Sequence, residues 1–198
     1  MERKFILTDK FVINSFGIKL FQIKCTKSFK YAQKGDFGGY VEKEGNLDQE
    51  NDAWVFGNAR VFGNARVSGD AWVSGDAWVS GDAWVSGDAW VSGDAWVSGD
   101  ARVFGNAWVS GNAWVSGNAD IENDNEHCGF DGFGSCNRHT HAYMTKEKKV
   151  EIICGCFRGS IEEFEKKVEE THSGTVYEKQ YKSIINVIKI KFGLTDFT

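Results

Sequence analysis

The sequence predicts a mainly β protein organised around a parallel β-helix, a triangular solenoid, with an N-terminal β cap and a small C-terminal α+β unit. Three observations carry this. A six-residue phrase, in its purest form Ala71-Trp72-Val73-Ser74-Gly75-Asp76, returns from Ala53 to Glu122 without an insertion, and self-similarity at a fixed short period marks a solenoid. Within the phrase Ala and Val alternate with Trp or Arg and with Ser or Phe, so one face of each short strand is small and apolar and the other is large or polar. Every phrase closes on Gly followed by Asp or Asn, which supplies a corner, since Gly reaches φ > 0 without steric cost and Asx side chains bond nearby amides. Three sides of six residues make a coil of about 18, stacked on the next at roughly 4.8 Å.

Taken in order, residues 1–40 form the cap. Phe5-Ile6-Leu7, Phe11-Val12-Ile13 and Ile18 to Ile23 read as three short antiparallel strands, separated by Thr8-Asp9-Lys10 and Asn14 to Gly17. A β-helix needs such a plug because its first coil otherwise leaves unpaired backbone open to edge-to-edge association. Residues 41–122 form the solenoid, with its first turn starting near Val41 and Gly45-Asn46-Leu47 in register with Gly57-Asn58-Ala59. Residues 123–198 form the last unit. Glu122 to Ser135 reads as an irregular connection, Ala142–Thr145 and Val150–Cys156 as two strands, and two helices follow. Ser160 with Glu163 makes a capping box for the first, whose apolar face holds Ile161, Phe164 and Val168. The second runs from about Val176 to Lys191, with Tyr177, Tyr181, Ile184, Ile185 and Ile188 on its stripe.

Val73-Ser74-Gly75-Asp76-Ala77 resembles the aliphatic-x-x-x-small hexapeptide of left-handed parallel β-helix proteins, of which the hexapeptide acyltransferases are the best known. A broader resemblance rests on Lys34 to Leu47, on the Gly-Asn-Ala-Arg-Val and Gly-Asp-Ala-Trp-Val repeats, and on Cys154-Gly155-Cys156-Phe157 before Ile161-Glu162-Glu163-Phe164. Together these are similar to a family of small phage and prophage hexapeptide-repeat proteins. The resemblance implies a left-handed coil and a phage-type origin, and no particular biochemical activity.

Charge is unevenly distributed around a net of −5. Residues 1–34 hold 8 basic and 2 acidic side chains, residues 35–126 hold 4 and 16, and residues 127–198 hold 11 and 10. An acidic solenoid disfavours direct nucleic-acid binding, whose affinity comes mainly from cations meeting phosphates. No apolar run reaches the length of a membrane span and no leader is evident. The expectation is a protein of the cytoplasm, that of a host cell if the chain is phage-encoded, with no membrane association. Five cysteines without a secretion signal are expected to be reduced thiols.

An 18-residue coil stacks outward positions into three columns. The first holds Trp54, Trp72, Trp90 and Trp108, the second Arg60, Trp78, Trp96 and Trp114, and the third Arg66, Trp84, Arg102 and Asp120. Stacked indoles stabilise a coil by themselves. Two faces with seven tryptophans nevertheless expose more apolar surface than a monomer normally tolerates, which makes them candidate binding surfaces for a second copy, as dimer or trimer, or for a foreign protein. The corner aspartates, among them Asp76, Asp82, Asp88 and Asp94, are ordinary turn residues. Their regular ridge also permits an alternative role, imitation of a phosphate backbone in a basic groove.

No histidine stands between residues 1 and 126, which argues against the acyltransferase chemistry that the hexapeptide likeness brings to mind. His127, Cys128, Cys136, His139, His141, Cys154 and Cys156 form the one set with ligand chemistry. His-x-His with Cys-x-Cys lacks the usual zinc-knuckle spacing, so neither a metal nor any other cofactor is expected, and no catalytic residue is assigned. Cys154 or Cys156 with His172 is a remote nucleophile pair. The expected function is that of a non-enzymatic, rigid binding module of phage type that recognises a host protein, such as a defence nuclease inhibited in the anti-CRISPR manner. An acidic nucleic-acid mimic is the alternative, followed by a small-ligand sponge or a hexapeptide-type acyltransferase.

Overall fold

The computed structural model describes residues 2–194 and divides into two compact units, 1–123 and 124–198. In the first unit, strands β1 (Phe5–Ile13), β2 (Lys19–Cys25) and β3 (Phe37–Val41) pair antiparallel in that order. The two strands expected over Phe5–Leu7 and Phe11–Ile13 are one strand. Its register shifts between Leu7 and Phe11, and the Thr8 hydroxyl donates to the Gln22 carbonyl at 2.9 Å, so the polar tripeptide bulges without ending the strand.

Twelve two-residue strands, β4 to β15, follow at Trp54–Val55, Arg60–Val61, Arg66–Val67, Trp72–Val73, Trp78–Val79, Trp84–Val85, Trp90–Val91, Trp96–Val97, Arg102–Val103, Trp108–Val109, Trp114–Val115 and Asp120–Ile121. Every third strand pairs in parallel, giving three stacked faces and about five turns of β-solenoid. Alanine and valine fill the interior, all essentially inaccessible from Ala53 to Ile121. Phrases from Ala59 to Asp88 each send three amide donors to the next coil, as when Trp72, Ser74 and Asp76 donate to the carbonyls of Ala89, Val91 and Gly93 at 2.9 Å each. The ladder thus runs through the corners as well as the strands, and the backbone groups of a tight coil are satisfied where they would otherwise be orphaned.

The cap is continuous with one face. Tyr40 and Val41 of β3 stand level with Arg60 and Val61 in parallel, so β1, β2 and β3 extend that face to seven strands. Leu47 bridges Val67, which gives it the valine place in the coil rather than the alanine place expected from its Gly-Asn context. Both offsets are twenty residues against eighteen between Trp54 and Trp72. The two additional residues fall in the segment before Ala53. There the buried Lys4 ammonium donates to the Asn51 and Ala53 carbonyls at 2.6 and 2.9 Å and fixes the irregular corner.

In the second unit, β16 (His127–Phe133), β17 (Arg138–Met144), β18 (Val150–Cys154) and β19 (Phe157–Gly159) form an antiparallel sheet in chain order. Helices α1 (Ile161–His172) and α2 (Val176–Lys191) pack on one side of it, over Ala142, Ile152 and Cys154. The segment expected to be irregular contains β16, and the chain past Cys156 adds β19, so the unit has four strands rather than two. The capping box forms as expected, with the Ser160 hydroxyl accepting from the Glu163 amide at 3.2 Å and the Glu163 carboxylate accepting from the Ser160 amide at 2.8 Å. Among the described residues no helix is long and apolar enough to cross a membrane.

Candidate binding surface

The three outward columns stand as the 18-residue period places them. Trp54, Trp72, Trp90 and Trp108 are level in one face, Arg60, Trp78, Trp96 and Trp114 in the second, and Arg66, Trp84, Arg102 and Asp120 in the third. The first two columns change character along their length because the N-terminal segment covers their first coils. Trp54 is only 1% exposed, with Phe5 and Phe29 meeting its indole edge-on at 6.2 and 5.3 Å. It points out of the coil yet belongs to the core, so it offers no exposed surface to a partner. Trp72 is half-buried between Phe56, stacked at 3.8 Å, and Tyr31 at 5.0 Å. Trp78 is half-buried among Phe16, Phe62 and the Arg60 guanidinium, which lies 5.1 Å over its ring.

Beyond this cover the indoles are open. Trp90 and Trp108 are 43% and 52% exposed and stack at 5.6 Å with planes 22° apart. Trp96 and Trp114 stack at 5.4 Å with planes 5° apart, and Trp114 is 38% exposed. Neighbouring serines hold some rings in place: the Trp84 and Trp96 indole N–H groups donate to the Ser68 and Ser80 hydroxyls at 2.9 and 3.3 Å. The result is a set of large apolar planes on an inextensible backbone, the kind of surface that binds with little loss of conformational freedom.

The corner residues form their own columns. Asp76 and Asp94 lie between Asn58 and Asn112 along one corner, Asp82 and Asp100 between Asn64 and Asn118 along another, and Asp70 and Asp88 precede Asn106 along the third. Asn64 donates to the Asp82 carboxylate at 3.0 Å, so amide and carboxylate can alternate in these stacks at no cost to the corner. Asp76, Asp82, Asp88 and Asp94 are all exposed.

The histidines and cysteines of the second unit do not converge. Thr140 pairs with Cys154 and donates to its sulfur at 3.3 Å, so Cys154 faces the helices while His139 and His141, at alternate positions of β17, face the other way. On that second face the Asp131 carboxylate accepts from His139 Nδ1 at 2.8 Å, and His139 Nε2 meets His141 Nδ1 at 3.3 Å. His127 lies parallel to His141 at 5.3 Å. Burial, with His127 and His139 adding repulsion, holds the His141 imidazole well below its ordinary range. On the helix side Cys136, Cys154 and Cys156 line a cavity of about 280 Å³ with Arg138, His172 and Tyr181. Burial and the Cys154 contact push the Tyr181 phenol up, and burial raises the Cys128 thiol to about 11. The Asp131–His139–His141 chain was not foreseen, because β16 itself was not.

His141 makes stability depend on pH. Unfolded, it takes up a proton near pH 6.5; folded, it resists until a lower pH, so the unfolded state binds more protons as pH falls below 6.5. Stability is expected to drop by up to about 1.4 kcal/mol per pH unit in that window. Melting curves at pH 7.5 and 5.5 should show the loss in the wild type and a smaller one in His141→Gln.

The fold and its repeat define a class, the parallel β-solenoids built from a short sequence repeat. Within that class, residues 53–69, 59–75, 65–81, 95–111 and 101–117 match the family model described as the YdcK beta solenoid repeat. Each match spans nearly one coil, and within each of the two groups, 53–81 and 95–117, successive matches step by a phrase. No curated protein matches the chain. The matched windows lie within the repeat.

Proposed function

We propose that this protein is a non-enzymatic, rigid binding module of phage type that recognises a host protein, a defence nuclease being the expected class, through the open indoles of its solenoid. One observation supports this most: Trp90, Trp108 and Trp114, with the half-buried Trp96, form two stacked pairs on adjacent faces. The chain's own aromatic residues cover the earlier indoles of the same columns, so burial is the favoured state of this surface. A second copy of the chain, as dimer or trimer, competes for the same indoles, and light scattering across micromolar concentrations distinguishes a 22 kDa monomer from either.

A second reading, the acidic mimic, draws on the stacked aspartate pairs at three corners. Asp82→Asn with Asp88→Asn separates the two. Asparagine already fills equivalent corners at Asn64 and Asn106, so folding should be unaffected. Binding to a partner captured from host lysate is expected to stay within about twofold, with a weak dependence on salt. Loss of binding together with a steep salt dependence would favour mimicry of a polyanion.

A further inference from the structure

The corner that carries Asp76 and Asp94 separates the two indole faces, and beside it lies an open groove of about 320 Å³ lined by Ser15, Phe16, Asp76, Trp78, Asp94 and Trp96. Its floor is two indoles of one column, 5.8 Å apart. Its wall is Phe16, 60% exposed at the tip of the β1–β2 hairpin and 6.1 Å from Trp78. That tip is built rather than loose: the Asn14 side-chain oxygen accepts from the amides of Phe16 and Ile18 at 3.0 and 2.9 Å. Its rim is two carboxylates one coil apart, neither ion-paired among the described residues.

Aromatic planes beside carboxylates attract an organic cation, since the ring face and the acid both favour positive charge and the walls limit screening. The fold supplies its own precedent in this column, where the Arg60 guanidinium sits 5.1 Å over the Trp78 ring. A guanidinium suits the groove better than an ammonium, because it is planar, stacks on indole, and offers two N–H edges to two carboxylates carried one coil apart, a backbone spacing of about 4.8 Å.

We propose that the groove bounded by Phe16, Trp78, Trp96, Asp76 and Asp94 receives an arginine side chain from a basic segment of the partner protein. This rests on the reading of the solenoid as a protein-binding module and specifies the chemistry of what it binds. A partner laid across the Asp76–Asp94 corner would meet Trp90 and Trp108 on one side and fill the groove on the other.

The test uses the full chain and two synthetic peptides, acetylated and amidated repeats of Gly-Arg-Gly and their citrulline counterparts, which keep the shape and remove the charge. Indole N–H signals of Trp78 and Trp96, assigned through Trp78→Phe and Trp96→Phe, report occupancy. The arginine peptide is expected to shift both signals saturably, and the citrulline peptide is expected to bind at least tenfold more weakly. Asp76→Asn with Asp94→Asn, which keeps a corner residue already present at Asn58 and Asn112, should weaken arginine binding about tenfold, and Phe16→Ala about fivefold. Equal binding of both peptides, equal binding by the Asn variant, or shifts confined to other indoles would overturn the assignment. If the peptide arm fails while Trp90→Thr with Trp108→Thr abolishes capture of the partner, only the arginine site is wrong. Capture that survives the loss of both indoles rejects the broader reading, whatever the groove binds.

Discussion

Gly93→Ala is expected to destabilise the solenoid by about 2–5 kcal/mol. The backbone at Gly93 has φ +69, a region that costs an L-residue with a Cβ about 1–2 kcal/mol. A second cost comes from stacking. A Cβ on Gly93 would lie 2.9 Å from the Gly111 nitrogen and 3.1 Å from its oxygen, and backbone cannot swing aside as a side chain can, so overpacking adds about 1–3 kcal/mol. The same corner supplies a control. Gly111 has φ +65 but nothing within 4 Å of its would-be Cβ, so Gly111→Ala should cost only the conformational part. Thermal or denaturant unfolding of the two variants separates corner conformation from coil stacking. Equal losses would mean that the coils are not in close backbone contact at their corners.

Trp54→Ala should cost about 3–5 kcal/mol, the range for removing a buried tryptophan, whereas Trp108→Ala, at the same place in the phrase and in the same column, should cost about 1 kcal/mol from lost stacking. The difference lies in what covers each ring. Trp54 is enclosed by Phe5 and Phe29, and Trp108 is half open to solvent. Removing Trp54 also takes the indole from between those two aromatic rings, so protease cleavage in residues 1–40 should accelerate in that variant and not in Trp108→Ala. Similar stabilities of the two variants would mean that the cap does not seat on the first coil.

This pair shows where periodicity stops being informative. The repeat reports which way Trp54 points and which residues stand above it, because the strand alternation and the 18-residue coil are written in every phrase. Its burial depends on Phe5 and Phe29, which belong to no repeat and come from a strand and a loop whose docking is a tertiary fact. Strand β16 was obscured for a different reason. His127-Cys128-Gly129-Phe130-Asp131-Gly132-Phe133 contains two glycines and no β-branched residue, so its local preference for strand is weak and pairing with β17 decides it. With β16 hidden, the Asp131–His139–His141 chain was hidden too, while the Ser160–Glu163 capping box was legible as a local motif. The groove beside Asp76 and Asp94 needed both kinds of information. Its indoles and acids follow from the coil period, but Phe16 reaches it only through the hairpin of the cap.

If the open indole pairs bind a protein, a calorimetric titration of the captured partner into Trp90→Thr/Trp108→Thr should show it. Threonine preserves strand propensity at both positions, and far-ultraviolet circular dichroism can verify that the coil persists. Each buried tryptophan anchor contributes on the order of 2 kcal/mol or more, so Kd should rise at least about a hundredfold, with a smaller negative heat-capacity change because less apolar surface is covered. A Kd within about twofold of the wild type, with the coil intact, would mean that these indoles are not the binding surface.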